Sequence, residues 1–333
     1  MAKIIFFDTE EWEEPFVKNG LLELNAVITE EKLDENTVSK YQDAEIISTF
    51  IYSSLTREVL EKLPSLKFIA TRSTGFDHID LPYCKEKNIL VSNVPTYGAH
   101  TVAEHTFALI LAISRKLVPS VEQAKKGNFS SENLQGFDLA GKTIGVIGTG
   151  NIGKNVAEIA LSFEMTVLAF SRTQNQELVL KGVKYVALDE LLANSDIVTL
   201  HLPHTKETEH VINMQNIQKF KKGSILINTA RGALVETQSI AEGLEKGYLS
   251  AAGLDVLEEE AHLREEKELL SSEYLSKVDV KTQLINHVLL TRDDVVITPH
   301  NAFNSKEAVE EIIEVTVANI KSFQAGNPQN LVF

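Results

Sequence analysis

"KTIGVIGTGNIGKNVAEIA", residues 142–160, decides the fold. Thr143 to Ile147 are apolar and alternate too little for a half-exposed strand, so they predict a strand buried on both faces. Gly148, Gly150 and Gly153 follow at once, and from Asn151 onward the pattern is helical. In a strand-turn-helix unit the first glycine permits the tight turn and the second lets backbone approach a pyrophosphate. The third lets helix close on strand. The backbone N–H groups that open the helix are left aimed at an anion. The turn, with Asn151 and Ile152 between its last two glycines, is therefore expected to hold a dinucleotide.

Upstream, "KIIFF", "EIISTFI", "KFIATR" and "ILVSNV" alternate with helical patterns before residue 95, which predicts a βαβ series. A helix is expected from Ala99 to Leu117, between Pro95 and Pro119. Downstream of the glycines a second series runs "TIGVIG", "TVLAF", "KYVAL", "IVTLHL", "SILINT", "AAGLDV" and "VVITPH". Six of these fit a full dinucleotide-binding fold, and "KYVAL" fits least. The amphipathic stretch 305–326 is expected to pack back onto the first series, with only "NLVF" strand-like beyond it. That makes the first domain discontinuous, residues 1–98 plus 302–333, around a dinucleotide-binding domain of 99–301. The acidic, helix-prone stretch from Glu258 to Asp294 reads as an insertion.

Composition narrows the function classes. The 333 residues suit about two domains. With 47 acidic against 32 basic residues the formal charge is −15, which opposes nucleic acid or an anionic membrane as partner. Cys84, the single cysteine, rules out an internal disulfide and reads as a small core filler. The opening "MAKIIFFDTEEWEE" has no basic-plus-apolar leader, so a reduced, cytoplasmic protein is expected. The longest apolar run, Phe107 to Ile113, is too short to cross a bilayer. No Cys pair stands at metal-ligand spacing, and no metal is expected.

Four motifs in order, "VIGTGNIG", "NTARGALV", "GLDVLEEE" and "ITPHNAF", resemble the D-isomer-specific 2-hydroxyacid dehydrogenases. "RSTGFDHID" and "NVPTYGAHTVAEH" extend the resemblance over nearly the whole chain. It implies an α/β protein of two doubly wound parallel-sheet domains, a flavodoxin-like substrate domain and a Rossmann dinucleotide-binding domain, with a cleft between them. It also implies hydride exchange between an NAD-type cofactor and a 2-oxo acid or (R)-2-hydroxy acid. A homodimer through the helix around Val102 to Leu117 is expected on the same ground.

Reducing a 2-oxo acid requires a carboxylate anchor, a proton for the carbonyl oxygen and an aimed hydride. Arg231 follows the strand "SILINTA", where α/β ligands bind, and its forked guanidinium suits a carboxylate; it matches the family's catalytic arginine. His300, at the end of "VVITP", can donate a proton near neutral pH and is the expected general acid. Glu260 closes "GLDVLEEE"; a carboxylate beside an imidazole favours imidazolium, and the resemblance implies Glu260 rather than Glu258 or Glu259, since Asp255 to Glu260 matches the family's aspartate-to-glutamate spacing. His201, His204 and His262 could be mistaken for the acid, but only His300 lies in the segment that matches the family's Pro-His motif.

For the cofactor, the resemblance adds His201, Pro203, Thr208, Thr229, Ala230, Arg231, Asp255 and His300 to Gly148, Gly150, Asn151, Ile152 and Gly153. For the substrate it implies the backbone of Thr74 and Gly75, with Arg231. Tyr52, Tyr97 and Phe303 resemble aromatic positions of the D-lactate dehydrogenase branch, pointing to pyruvate and D-lactate. A glyoxylate or hydroxypyruvate reductase is the alternative within enzymes, and a non-enzymatic, corepressor-like dinucleotide binder the alternative outside them. One departure concerns NAD against NADP. "TVLAF" ends in "SRTQ", so Ser171 stands where an NAD-specific member carries an acid, and Arg172 with Ser171 and Thr173 can meet a 2′-phosphate.

Overall fold

The computed structural model describes residues 3–9, 11, 13–21, 26–260 and 279–333. They fall into two compact units, Met1–Gly98 with Asn304–Phe333, and Ala99–Phe303.

The first unit runs β1 (Ile4–Phe6), α1 (Glu14–Leu21), β2 (Val27–Ile28), β3 (Ile46–Thr49), α2 (Arg57–Leu60), β4 (Phe68–Thr71), α3 (Leu81–Lys87) and β5 (Leu90–Ser92). The strands form one parallel sheet in the order β2-β1-β3-β4-β5. The two-residue edge strand β2 is an addition to the four strands expected, too short to give a periodic signal. Both faces are covered, as an all-parallel sheet requires. On one, the C-terminal helix Lys306–Gln324 sets Val309, Ile313, Val317 and Ile320 against Ile4, Phe6, Ile46 and Phe68. Phe323 stacks on Phe68 with centroids 4.3 Å apart. "NLVF" makes only an antiparallel bridge, Leu331 to Ser92.

The second unit begins with α4 (Ala99–Ser114) and α5 (Leu117–Lys125). A single helix was expected here; Lys116, left-handed at φ 51° and ψ 40°, breaks it into two. Pro119 sits in the first turn of α5, where a missing N–H costs nothing, and so does not end α4. Next come β6 (Thr143–Ile147), α6 (Asn151–Ser162), β7 (Thr166–Phe170), α7 (Gln176–Leu180), β8 (Lys184–Tyr185), α8 (Leu188–Asn194), β9 (Ile197–Leu200), β10 (Ser224–Asn228), α9 (Thr237–Glu245), β11 (Leu249–Leu254), α10 (Val280–Leu290) and β12 (Val295–Ile297). All seven strands pair in parallel, in the order β12-β11-β10-β9-β6-β7-β8. "KYVAL" is therefore a strand after all; as an edge it needs only two paired residues and half a hydrophobic face. Ile144 to Ile147 are buried, with Phe107, Ile110 and Val156 in the core on one face and Leu191, Leu226 and Ile240 on the other.

Of the acidic stretch read as an insertion, 261–278, with His262, lies outside the described residues. No helix among those described is long and apolar enough to cross a membrane.

Candidate active site

The glycine turn opens the site. Gly148 ends β6 at φ 95°, and a Cβ there would stand 2.6 Å from the His201 carbonyl oxygen. A Cβ on Gly153 would come within 1.9 Å of the Gly148 oxygen, so the closing of α6 on its strand requires that glycine. Gly150 differs: its Cβ would point into open space, and it gives α6 no side-chain cap. A helix start with first-turn N–H groups uncapped and no side chain in front fits the pyrophosphate of a dinucleotide. Ser171 follows β7 half-buried, with Arg172 and Thr173 exposed beside it. Asn151 and Ile152 form the first turn of α6.

His201, just past β9, is half-buried, and desolvation of its ring pushes its imidazole down to about 3. Its Nε2 lies 2.9 Å from Thr199 Oγ1, and its buried Nδ1 has no partner among the described residues. It is neutral at physiological pH and holds no proton to give as an acid. His204 likewise has a buried Nε2 with no partner among the described residues. Pro203 and Thr208 close the same loop, the Thr208 hydroxyl donating to the Pro203 carbonyl at 2.7 Å.

Three adjacent strands end in the three candidate catalytic residues: Arg231 after β10, Glu260 after β11, His300 after β12. Asn228, the last residue of β10, donates from Nδ2 to the Arg231 carbonyl (2.8 Å) and accepts the Ala230 N–H (3.1 Å), fixing the chain that presents the guanidinium. Arg231 Nη1 donates to the Ala230 carbonyl at 2.8 Å. Thr229 is buried against Thr106, hydroxyl to hydroxyl at 2.9 Å. Gly232 has a packing reason: a Cβ would fall 2.2 Å from the Leu257 carbonyl carbon, in the segment that leads to the glutamates.

Those three consecutive glutamates have separate tasks. Glu258 accepts the Thr237 N–H (3.0 Å) and hydroxyl (2.7 Å) at the start of α9 and meets His210 Nε2 at 2.6 Å. Glu259, left-handed at φ 56°, accepts the Asp279 N–H at 3.2 Å and meets Gln283 Nε2 at 3.2 Å. Glu260 alone reaches His300, with Oε1 2.5 Å from Nδ1, while its Oε2 accepts the Leu257 N–H at 3.1 Å. With Nδ1 engaged by the carboxylate, Nε2 is the ring nitrogen left for a substrate.

His300 is itself left-handed, at φ 52°, a conformation a histidine adopts only when its surroundings impose it. Asp255 does so. Its carbonyl accepts the His300 N–H (2.9 Å), and its carboxylate accepts the Thr298 hydroxyl (2.5 Å) and the N–H groups of Asn301 (3.0 Å) and Ala302 (2.9 Å). Asp255, expected on the cofactor, thus has both carboxylate oxygens on the histidine's turn. His105, on α4, adds Nε2 at 3.0 Å from Thr298 Oγ1. Phe303 follows, half-buried.

The remaining candidates lie in the first unit, past β3, β4 and β5. Tyr52 is half-buried and edge-on to Phe50 at 5.4 Å. The Thr74 hydroxyl donates to the Val94 carbonyl (2.8 Å), and the Ser73 hydroxyl donates to the Gly75 carbonyl (2.6 Å). Tyr97 is half-buried beyond β5.

Residues 107–302 match the family described as D-isomer specific 2-hydroxyacid dehydrogenase, NAD binding domain. The chain belongs to that family. This dehydrogenase is an oxidoreductase of 2-hydroxy acids, and its larger unit is an NAD-binding domain. It is similar to a 2-hydroxyacid dehydrogenase homolog of Haemophilus influenzae, 35% identical over 97% of each chain. It is 33% identical to a glyoxylate reductase of Pyrococcus furiosus, covering 98% of this chain and 89% of the other. Among solved structures, a D-lactate dehydrogenase of Aquifex aeolicus complexed with NAD and lactic acid superposes with a TM-score of 0.88 at 41% identity, covering 98% and 96%.

Sequence reasoning missed Asn228, Thr298, His105, Gln283 and Asn286 in this dehydrogenase. For Asn228 a signal exists, a polar residue closing a fully buried strand, "SILIN". Such a side chain must find partners, and the nearest are the backbone groups of the next turn.

Proposed function

We propose that this dehydrogenase reduces pyruvate to D-lactate, with His300 as general acid and NADPH accepted at least as well as NADH. The observation that carries the acid–base part is the Glu260–His300 pair, 2.5 Å apart past the ends of β11 and β12, with Arg231 past the end of β10, the next strand beside β11. The dinucleotide, when bound, supplies the hydride. Arg231 pairs with the substrate carboxylate and polarises its carbonyl; His300 Nε2 gives that oxygen a proton; Glu260 holds Nδ1 so that the ring stays oriented. Pyruvate is favoured by Tyr52, Tyr97 and Phe303, which resemble the D-lactate branch. Backbone N–H groups of Thr74 and Gly75 suit the substrate carboxylate.

The cofactor reading rests on the end of β7. Nothing at Ser171 repels a 2′-phosphate, and Arg172 is exposed to meet one. A homodimer is part of the same reading, supported by Leu117, Val118 and Val121 on α5 and by Phe129, 86% exposed. Initial rates at 340 nm with pyruvate, 2-oxobutyrate, glyoxylate, hydroxypyruvate and phenylpyruvate, each with NADH and NADPH, test the whole. Pyruvate is expected to give the highest kcat/KM, and Ser171→Asp to move the cofactor ratio toward NADH by ~10-fold or more. Preference for glyoxylate would make this a reductase of the kind its Pyrococcus relative is named for, and preference for hydroxypyruvate would make it a hydroxypyruvate reductase. Rejection of NADPH by ~100-fold would refute the reading of Arg172.

A further inference from the structure

Helix α10 wears its polarity inside out. Val280, Leu284 and Val288 form an exposed stripe at i, i+4 and i+8, while the side chains turned inward include two amides, Gln283 at 2% exposure and Asn286 at 0%. A buried amide has to be explained by what it bonds.

Both bond the turn that delivers Glu260. Asn286 Nδ2 donates to the Glu258 carbonyl at 2.9 Å, and Gln283 Nε2 to the Glu259 carbonyl at 3.2 Å. The two carbonyls immediately before Glu260 are thus held by side chains one helical turn apart. Their acceptors are carbonyl oxygens, which fixes the amide orientations: the NH2 groups face the turn. Gln283 Oε1 and Asn286 Oδ1 are left buried with no partner among the described residues. The residue between the two peptides, Glu259, is left-handed, and a non-glycine residue keeps that conformation where neighbours enforce it. Its carboxylate is bound as well, by the Asp279 N–H that precedes the helix.

We propose that α10 is a positioning element for the catalytic pair, its Asn286 and Gln283 amides clamping the Glu258–Glu259 backbone so that the Glu260 carboxylate stays on His300 Nδ1. The inference rests on the reading of Glu260 as the partner of the general acid. Both amides are bound to the backbone of the turn and act through Glu260. The stretch read from sequence as an insertion therefore supplies part of the catalytic architecture.

The test compares the pH dependence of kcat for 2-oxo acid reduction in the wild type, Glu260→Gln, Asn286→Leu, Gln283→Leu and the double leucine variant. Leucine has the branched skeleton of asparagine and removes the donors. When the clamp loosens, the imidazolium loses its carboxylate and activity fails first at high pH. The double variant is expected to lose ~3- to 10-fold in kcat at pH 9 and less than about twofold at pH 6, in the direction of Glu260→Gln, with KM for the cofactor unchanged. Each single variant, which serves if the double fails to fold, is expected to lose ~2- to 3-fold at pH 9 only. Equal losses at both pH values, or a wild-type profile, while Glu260→Gln does move the alkaline limb, would overturn the clamp. If Glu260→Gln leaves that limb unmoved, the reading of Glu260 falls and the clamp with it.

Discussion

The two sheets solve the same geometric problem in opposite ways. In each, strand order reverses beside the first strand in sequence, between β1 and β3 in the smaller sheet and between β6 and β9 in the larger. Such a reversal opens a crevice at the carboxyl ends of the strands, the usual place for a ligand. Each first strand also runs into a residue of positive φ, Asp8 at 53° and Gly148 at 95°. In the larger sheet that residue has no side chain, and the helix beyond it begins uncapped. In the smaller one it carries its own anion. Asp8 Oδ2 accepts the Phe50 N–H at 2.9 Å and the Ser53 hydroxyl at 2.7 Å across the reversal. Beneath it Arg72, 2% exposed, donates to the carbonyls of Phe7 (2.7 Å) and Asp8 (2.9 Å). Topology provides two crevices; side chains decide that one is left open for a phosphate and the other is closed from within.

The open crevice depends most heavily on Gly153. With a Cβ forced to 1.9 Å from the Gly148 oxygen, Gly153→Ala is expected to lose ~100-fold or more in NADH affinity and ~2–4 kcal/mol of stability. Gly150→Ala should separate binding from folding. That Cβ meets only open space, so stability should hold within ~0.5 kcal/mol while the Kd for NADH rises ~10-fold. Fluorescence titration of NADH beside urea denaturation distinguishes the two, and equal behaviour of the two alanines would remove the distinction drawn between these glycines.

The smallest effect is expected at the closed crevice. Burial pushes the Asp8 carboxyl above the usual carboxylate range, against its hydrogen bonds from Phe50 and Ser53 and the field of Arg72. The folded protein therefore binds this proton more tightly than the unfolded chain. The group's contribution is fully present below the unfolded value and is lost as pH rises through the folded one. An asparagine side chain in its place, an uncharged acceptor for the same two donors, avoids that loss. Asp8→Asn should raise stability by ~1 kcal/mol at neutral pH, with the gain vanishing as pH falls through the carboxylate range, as followed by Tm against pH. A variant less stable at pH 7 would mean that the ionised carboxylate is what holds the turn.

The sequence spoke plainly where chemistry sits at the end of an apolar strand. The glycine turn, Arg231 and His300 each follow an uninterrupted apolar run, so strand ends could be located and the residue beyond them named. Glu260 was harder, because three adjacent glutamates are identical in type. Spacing pointed to the third, but only the contacts of Glu258 with Thr237 and His210, and of Glu259 with Asp279 and Gln283, show why the other two are unavailable. The stretch that holds α10 read as helix-prone, but the helix's task was not legible. Its inward amides contradict the usual amphipathic pattern, and the carbonyls they hold belong to a turn more than twenty residues away. Lys116 and β2 escaped for a simpler reason: one left-handed residue and two paired ones leave no periodic trace.

The source of the proton is the decisive point. Steady-state reduction of pyruvate by His300→Ala, measured beside direct NADH titration of the same variant, tests it most directly. A fall in kcat of ~10²- to 10⁴-fold with NADH affinity within about twofold of wild type is the expected result. Turnover near that of the wild type, or a loss confined to NADH binding, would contradict the assignment of His300 as the acid that completes hydride transfer.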